Sequence, residues 1–372
     1  MLVGGNAVTL LHDGAECLPA MLQAIQGARE EVLLEMYWFA SDRTGRRFAQ
    51  ALADRARAGV TVQVIYDAVG SWEADRAMFD EMRAAGCDVH EYNPIAPFRK
   101  RFNLGVANRR DHRKILVVDG TLGMTGGVNL GDEWASVESG GQGFRDDMIR
   151  IEGPAAYQLR DIFRETWVAL GGREPRSDDW HPSRDGAAGG ESGVRVLANF
   201  RMGAHRAIRR VYLQQIAQAK SYIYITNSYF VPDRVVRRAL AKAAARGVVV
   251  KVIVPGDSDV IAVYWAGRRL YTWLVQNGVA LHEWQRTVLH AKTAVVDGSW
   301  CTVGTYNLDY RSFRFNLEVT ATIADEGVGA AMRLRFERDL AESVPVDLKN
   351  FSFRPLSERL LEHFFYLFRK LL

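Results

Sequence analysis

Three cysteines, Cys17, Cys87 and Cys301, are too few and too scattered for a disulfide framework or a cysteine metal site. Their odd number suits a reducing compartment and buried, reduced thiols. Nowhere do eighteen apolar residues run together, and no basic stretch near the N-terminus leads into an apolar segment. Neither a membrane span nor a signal peptide is therefore indicated, which points to a protein made and kept in the cytoplasm. Excess charge of either sign is small as well: a net +4 is too little to act globally, so any attraction for phosphate must come from local clusters. With 48% hydrophobic and 25% charged residues the chain is not of the disordered class, and 372 residues suffice for two packed domains.

What the sequence does have is a repeat, which decides the fold before any local reading. Asp111-His112-Arg113-Lys114-Ile115-Leu116-Val117-Val118-Asp119 returns as His290-Ala291-Lys292-Thr293-Ala294-Val295-Val296-Asp297. Downstream follow Gly126-Gly127-Val128-Asn129 and Gly304-Thr305-Tyr306-Asn307. Upstream, the apolar run Glu31 to Phe39 matches Ser221 to Phe230, with polar Glu35 and Asn227 standing out inside them. Each is followed by a helical stretch closing at Gly59 or Gly247, where glycine suits the left-handed position that ends a helix. Strands then run through Val60 to Tyr66 and Val248 to Val254, and Gly86 and Gly278 precede a further strand. This alternation predicts an α/β fold of two halves, each a mixed, mostly parallel sheet flanked by helices, the two packed with pseudo-twofold symmetry. The expected boundaries are 1–170 and 194–345 for the halves, 171–193 for a Gly-, Pro- and Ser-rich linker, and 346–372 for an amphipathic C-terminal helix.

The halves differ before the His motif. Gly86 lies 26 positions ahead of His112, whereas Gly278 lies 12 ahead of His290. The extra stretch holds Phe98, Arg99, Lys100, Arg101, Phe102, Arg109 and Arg110, and interleaved aromatic and basic residues suit an anionic lipid surface, although a solvated loop would look similar. The terminal helix has two readings as well: docking on the protein's own core, or insertion into a membrane interface or partner groove.

In a strand, residues two apart share a face, so His112 and Lys114 project together, as do His290 and Lys292. Asp119-Gly120 and Asp297-Gly298 read as tight turns that bring Asn129 and Asn307 back beside them. If the halves face each other, two His, two Lys and two Asn converge. Such a pocket suits a phosphodiester: lysines and amides stabilise charge growing on non-bridging oxygens, one imidazole attacks phosphorus, and the other protonates the departing oxygen. Asp119 and Asp297 are expected to organise the turn and partner the lysines. A metal site is disfavoured, since Lys is no usual ligand and no acidic or Cys cluster surrounds either His. No metal or cofactor is expected.

The paired His-x-Lys-(x4)-Asp motif resembles the phospholipase D superfamily, and within it the chain most resembles bacterial cardiolipin synthases. Supporting strings are Asp67-Ala68-Val69-Gly70-Ser71, Asn108 to Lys114, Gly126 to Glu133, Arg145-Asp146, Tyr229-Phe230-Val231-Pro232-Asp233, and Asn307-Leu308-Asp309 with Arg311-Ser312-Phe313. The sequence departs from the pattern at Phe144, where Trp is usual, and at Tyr310, where Pro is common.

The resemblance implies that Asp146 and Glu318 each orient a catalytic His, with His112 as nucleophile and His290 as acid and base. It implies transfer of a phosphatidyl group between phospholipids through a phosphohistidine, the alternatives being a hydrolase or nuclease of the same superfamily, or a non-catalytic binding protein. Many such synthases carry transmembrane helices ahead of the catalytic halves. Here attachment to the inner (cell) membrane is expected to be peripheral, through the basic loop, the terminal helix, or Tyr264-Trp265 with Arg268 and Arg269. The expected partners are phospholipids and an anionic membrane surface, without nucleic acid.

Overall fold

The repeat read from sequence becomes a repeat of strand order. A computed structural model describes residues 2–94, 108–173, 190–199 and 206–372. The first half holds β1 (Val3–His12), β2 (Glu31–Met36), β3 (Thr61–Asp67), β4 (Asp88–Tyr92), β5 (Lys114–Val118), β6 (Leu122–Gly126) and β7 (Asp147–Glu152). The second holds β8 (Ser192–Asn199), β9 (Tyr222–Asn227), β10 (Val249–Pro255), β11 (Val279–Trp284), β12 (Lys292–Val296), β13 (Trp300–Gly304), β14 (Glu318–Ala324) and a short edge strand, β15 (Ser343–Pro345). From the outer edge inward the order is β4-β3-β2-β5-β6-β7-β1, mirrored by β11-β10-β9-β12-β13-β14-β8. Antiparallel pairing of β1 with β8, through Val3 with Val194 and Asn6 with Ser192, joins them at the centre of the pseudo-twofold arrangement.

One expectation needs correction. Among the described strands only β2-β3-β4 and β9-β10-β11 run parallel; their other pairings are antiparallel, so each half is mixed but mostly antiparallel. Helical crossovers return the chain to a parallel neighbour, but the tight turn at Asp119-Gly120 can only reverse it. Asp119 and Asp297 both adopt positive φ, 47° and 52°, and the glycines after them continue in the left-handed region.

Every residue of β5 and of β12 is buried. Strand alternation divides their side chains between two cores. Leu116 and Val118 pack with Leu34, Phe48 and Leu52 beneath the outer helices, as Ala294 and Val296 pack with Ile223, Ile225 and Leu240. Ile115 and Val117 instead join Ile149, Val303, Val319 and Ala321 in a core shared by both halves. Burying apolar surface contributes roughly 25 cal/mol per Å², so this shared layer holds the two motifs in register. Gly59 and Gly247, at φ 88° and 91°, end the helices Arg43–Arg57 and Arg234–Ala245 as the sequence predicts.

Candidate active site

The two motifs meet because each half lends backbone to the other. Asp111 bridges to Leu317, and Leu289 bridges to Arg145, both in parallel sense. The His112 amide donates to Leu317 O at 3.0 Å, and the His290 amide to Arg145 O at 2.8 Å. Strands β5 and β12 begin only at the lysines, so each His lies just ahead of its strand, held by the opposite half.

That exchange fixes the carboxylates as well. The residue after Leu317 is Glu318, whose Oε2 lies 3.1 Å from His112 Nδ1; the residue after Arg145 is Asp146, whose Oδ2 lies 2.7 Å from His290 Nδ1. Each imidazole is thus paired with the acid of the other half. Glu318 also accepts from Thr305 Oγ1, from Ser312 Oγ at 2.7 Å and from Asn316 Nδ2 at 3.3 Å. Asp146 accepts from Trp134 Nε1 at 2.9 Å and from the Asp147 amide at 2.9 Å. Arg145, buried and bound to Asp339 and Asp147 at 2.6 and 2.8 Å, fastens the segment carrying Asp146.

The lysines lie buried below. Lys114 Nζ donates to His112 O at 2.9 Å, and Lys292 Nζ donates to His290 O. Tyr37 stands edge-on to His112 at 4.8 Å, and Trp134 edge-on to His290 at 5.2 Å. Asn129 Oδ1 accepts the Trp38 amide at 3.2 Å, and Asn307 Oδ1 accepts Ser228 Oγ at 2.9 Å. With each amide oxygen so engaged, its NH2 group is the end left for a ligand. His112, His290, Asn129 and Asn307 all line one pocket of about 580 Å³, with Tyr37, Tyr229, Trp72 and Arg311.

Burial and the neighbouring Lys114 ammonium pull the His112 pKa down to about 4, and burial and Lys292 lower that of His290. Burial opposes ionisation of Glu318 and Asp146, but the paired imidazoles and their other donors outweigh it and both carboxyls stay below their usual range. At neutral pH each imidazole is neutral, donating Nδ1–H to a carboxylate and keeping the Nε2 lone pair free. Burial and mutual repulsion bring Lys114 down to about 7, and burial brings Lys292 to about 8.

Other site expectations fare differently. Asp119 and Asp297 do not partner the lysines. Asp119 accepts the amides of Arg29, Glu30 and Glu31 at 2.8–3.1 Å, and Asp297 those of Lys220, Ser221 and Tyr222 at 2.8 Å each. They stand at the far end of β5 and β12, about 16 Å of strand from Lys114 and Lys292, where they tie the turn to the start of β2 and β9. Arg110 does not face a bilayer: it is 1% exposed, with its guanidinium on Asn93 O at 3.0 Å and near Asp67 at 3.5 Å, and it lines the pocket. Arg109 is half-buried, its carbonyl accepting from Asn93 at 2.8 Å. Phe98, Arg99, Lys100, Arg101 and Phe102 lie outside the described residues, as does most of the linker. Arg268 is not a free surface cation either, being bound to Glu283 at 2.8 Å and Glu358 at 3.3 Å beneath the C-terminal helix. Trp134 is a part of the site that no string announced, and Tyr37, Tyr229 and Thr305, though inside the repeated or supporting strings, have roles there that the sequence did not show.

A doubled sheet that brings a histidine from each half to one pocket, with its lysine buried just below, is the phospholipase D architecture. The chain belongs to the family described as cardiolipin synthase, PLD-like domain, whose model matches residues 21–167 and 212–340. It is 33% identical over 353 residues to a cardiolipin synthase of Geobacillus sp. (strain WCH70), covering 95% of this chain and 70% of that protein. It is 32% identical over 367 residues to cardiolipin synthase 1 of Staphylococcus aureus (strain COL), covering 97% and 73%. In fold it is similar to the crystal structure of a phosphatidylserine synthase of Haemophilus influenzae Rd KW20, with a TM-score of 0.70 at 15% identity over 98% of this chain and 95% of that one.

Proposed function

We propose that the protein is a phosphatidyltransferase that makes cardiolipin from two phospholipids, using His112 as nucleophile and His290 as proton carrier. The observation that carries this reading is the crossed pairing of two neutral imidazoles, each on a buried carboxylate of the opposite half, over one pocket of about 580 Å³. In the first step the His112 Nε2 lone pair attacks phosphorus of phosphatidylglycerol. The bond from phosphorus to the glycerol oxygen breaks, and His290 delivers a proton to that oxygen, releasing glycerol. The entering phosphodiester charge favours protonated His290, which supplies that proton although the empty site holds it neutral. Glu318 then faces the cationic phosphoimidazole, and Lys114, Lys292, Asn129 and Asn307 stabilise the non-bridging oxygens. In the second step the hydroxyl of another phosphatidylglycerol gives its proton to His290 and attacks phosphorus. The phosphorus–nitrogen bond breaks, His112 returns to neutral, and a four-chain lipid leaves.

The test is purified protein with phosphatidylglycerol vesicles, isotopically labelled in the lipid, with chelator present and single-stranded DNA as a parallel substrate. Four-chain product and free glycerol are expected. Phosphatidic acid alone, or cut DNA, overturns transfer in favour of hydrolysis. Described residues contain no helix long and apolar enough to cross a membrane. The reading also includes peripheral docking on an anionic bilayer, through residues of the basic stretch other than Arg110 and through the C-terminal helix.

A further inference from the structure

The C-terminal helix Leu356–Leu367 docks by a mixed face and leaves a row of apolar side chains outside. Inward, Phe365 and Tyr366 pack against the core of the second half, beside Glu362, which is 0% exposed and grips Arg354 at 2.6 and 2.7 Å, and Glu358, which reaches Arg268 at 3.3 Å. Outward, among exposed Ser357, Arg359 and His363, runs an apolar stripe, with Leu356, Leu360 and Leu367 at 68%, 63% and 73% exposure and Phe364 and Leu371 continuing it. An ordinary surface helix keeps its large apolar residues inward, and an exposed apolar strip of this kind marks an interaction surface. The chain end is pinned, since the Arg311 amide donates to Leu372 O at 3.0 Å.

Beside this stripe lies a second cavity, of about 520 Å³, that takes no part in the chemistry above. Its wall carries Arg234, Arg237, Arg238, Arg369 and Lys370 against one acid, Asp233. That acid is already engaged by Arg209 at 2.7 and 3.0 Å and by the amides of Val235 and Val236. Among the described residues none of the five wall cations has a carboxylate within ion-pair distance. Arg237 stacks on Trp273 at 5.2 Å and Arg369 on Tyr366 at 4.3 Å, which sets both guanidinium groups as platforms. The cavity adjoins the catalytic pocket: Tyr310 lines the first while Asp309 and Arg311 line the second, and Arg369 and Lys370 give way to Leu371 and Leu372.

We propose that this cavity binds the phosphate headgroup of an anionic phospholipid still seated in the bilayer, with the apolar stripe entering the membrane interface beside it. Uncompensated cations next to an outward apolar helix fit such a surface. A second copy of the chain fits less well, because a twofold contact would set the same cations against themselves. The site would hold the enzyme with its catalytic pocket opening along the membrane. The proposal needs no turnover and so is separable from the transferase reading.

The experiment is co-sedimentation of the full chain with vesicles of phosphatidylglycerol in phosphatidylcholine, and of phosphatidylcholine alone. Two double variants are compared, Arg238→Glu with Lys370→Glu, and Leu360→Ser with Phe364→Ser, with thermal unfolding as the check on folding. Each is expected to weaken binding to the anionic vesicles roughly tenfold or more. Equal binding of both double variants, or equal binding of pure phosphatidylcholine, overturns the proposal. So does light scattering in which Leu360→Ser with Phe364→Ser turns a dimer into a monomer without loss of vesicle binding. Inorganic phosphate is the remaining arm: if it saturates the cavity while the charge reversals leave vesicle binding intact, the site takes free phosphate and no lipid. Loss of vesicle binding in the variants of a protein that makes no cardiolipin would keep this site and sink the transferase reading instead.

Discussion

The two halves bring matched reacting groups to the site on different supporting chemistry. His112 and His290, Lys114 and Lys292, Asn129 and Asn307 are matched, and the register pairing Gly126 with Met148 and Gly304 with Thr320 makes Asp146 the counterpart of Glu318. What differs is how each acid is held. In the second half Thr305 donates its hydroxyl to Glu318, but its counterpart Gly127 has no side chain to offer, and a Cβ there would lie 2.0 Å from Asp146 Oδ1. The shorter acid is drawn against its own strand, and the Trp134 indole replaces the threonine as donor. The symmetry of the motif therefore constrains the reacting groups, while the shell around them has diverged under local packing.

The largest expected effect breaks both halves at once. His112→Ala and His290→Ala should each abolish transfer, a loss of roughly 10⁴-fold or more where general acid–base and nucleophilic roles combine. Substantial turnover in either would refute the two-histidine cycle. Alkaline quench and mass spectrometry of the native enzyme should place the phosphoryl group on His112; finding it on His290 would reverse the roles of the halves. Next comes the difference in support. Gly127→Thr should cost on the order of a thousandfold in kcat, because the new side chain displaces the carboxylate that orients His290. Thr305→Gly removes one of several donors to Glu318 and should cost about tenfold. Equal effects would show that the two supporting shells are interchangeable.

How much of this was legible follows from where the information sits. His112, Lys114 and Asn129 are local and duplicated, so spacing alone picks them out with their partners, and Gly59 and Gly247 announce two helix ends. The crossing of acids between halves is not local: it depends on Asp111 meeting Leu317 and Leu289 meeting Arg145, contacts between stretches some two hundred residues or more than one hundred residues apart. Tyr37 and Tyr229 lie in strings that the sequence singles out, but their place beside the histidines is hidden for a subtler reason. Met36 pairs with Lys114 and Asn227 with Lys292, so Tyr37 is the register counterpart of Ser228, and the repeat hides two aromatics that reach similar places from adjacent positions. Apolar strands alternating with helices suggest parallel crossovers, whereas the hairpins that carry the lysines and asparagines reverse direction. Sequence neighbours Arg109 and Arg110 look alike, yet Arg110 turns inward to Asp67 and Asn93.

A smaller effect concerns the charges both halves share. Burial lowers Lys114 to about 7 and Lys292 to about 8, so each loses its proton, and its attraction for phosphate, as pH rises through those values. Asp309, on the pocket wall, is raised by burial to about 7 and gains negative charge over the same interval. Both changes disfavour an anionic substrate. KM should therefore rise between about pH 7 and 9 before kcat falls, and a KM that stays flat or decreases there would contradict the buried-lysine electrostatics.

The smallest effect on activity is expected where the motif looks most diagnostic. Asp119 and Asp297 close each motif in sequence, but in space they collect three backbone amides apiece at the start of β2 and β9, far from phosphorus. Asp119→Ala and Asp297→Ala leave those amides without their acceptor and put alanine at positive φ, a stability cost of about 1–3 kcal/mol for each. The measurement is paired: thermal unfolding should shift downward by several degrees, while kcat at a temperature well below the transition stays within a few-fold of the parent. The lysine variants Lys114→Ala and Lys292→Ala should show the reverse pattern, losing turnover without a comparable drop in stability, because removing a buried ammonium relieves desolvation as it removes the phosphate contact. If the aspartate variants instead behave like the lysine variants, then the turn and the ammonium are coupled along the strand, and the Asp of each motif belongs with the chemistry after all.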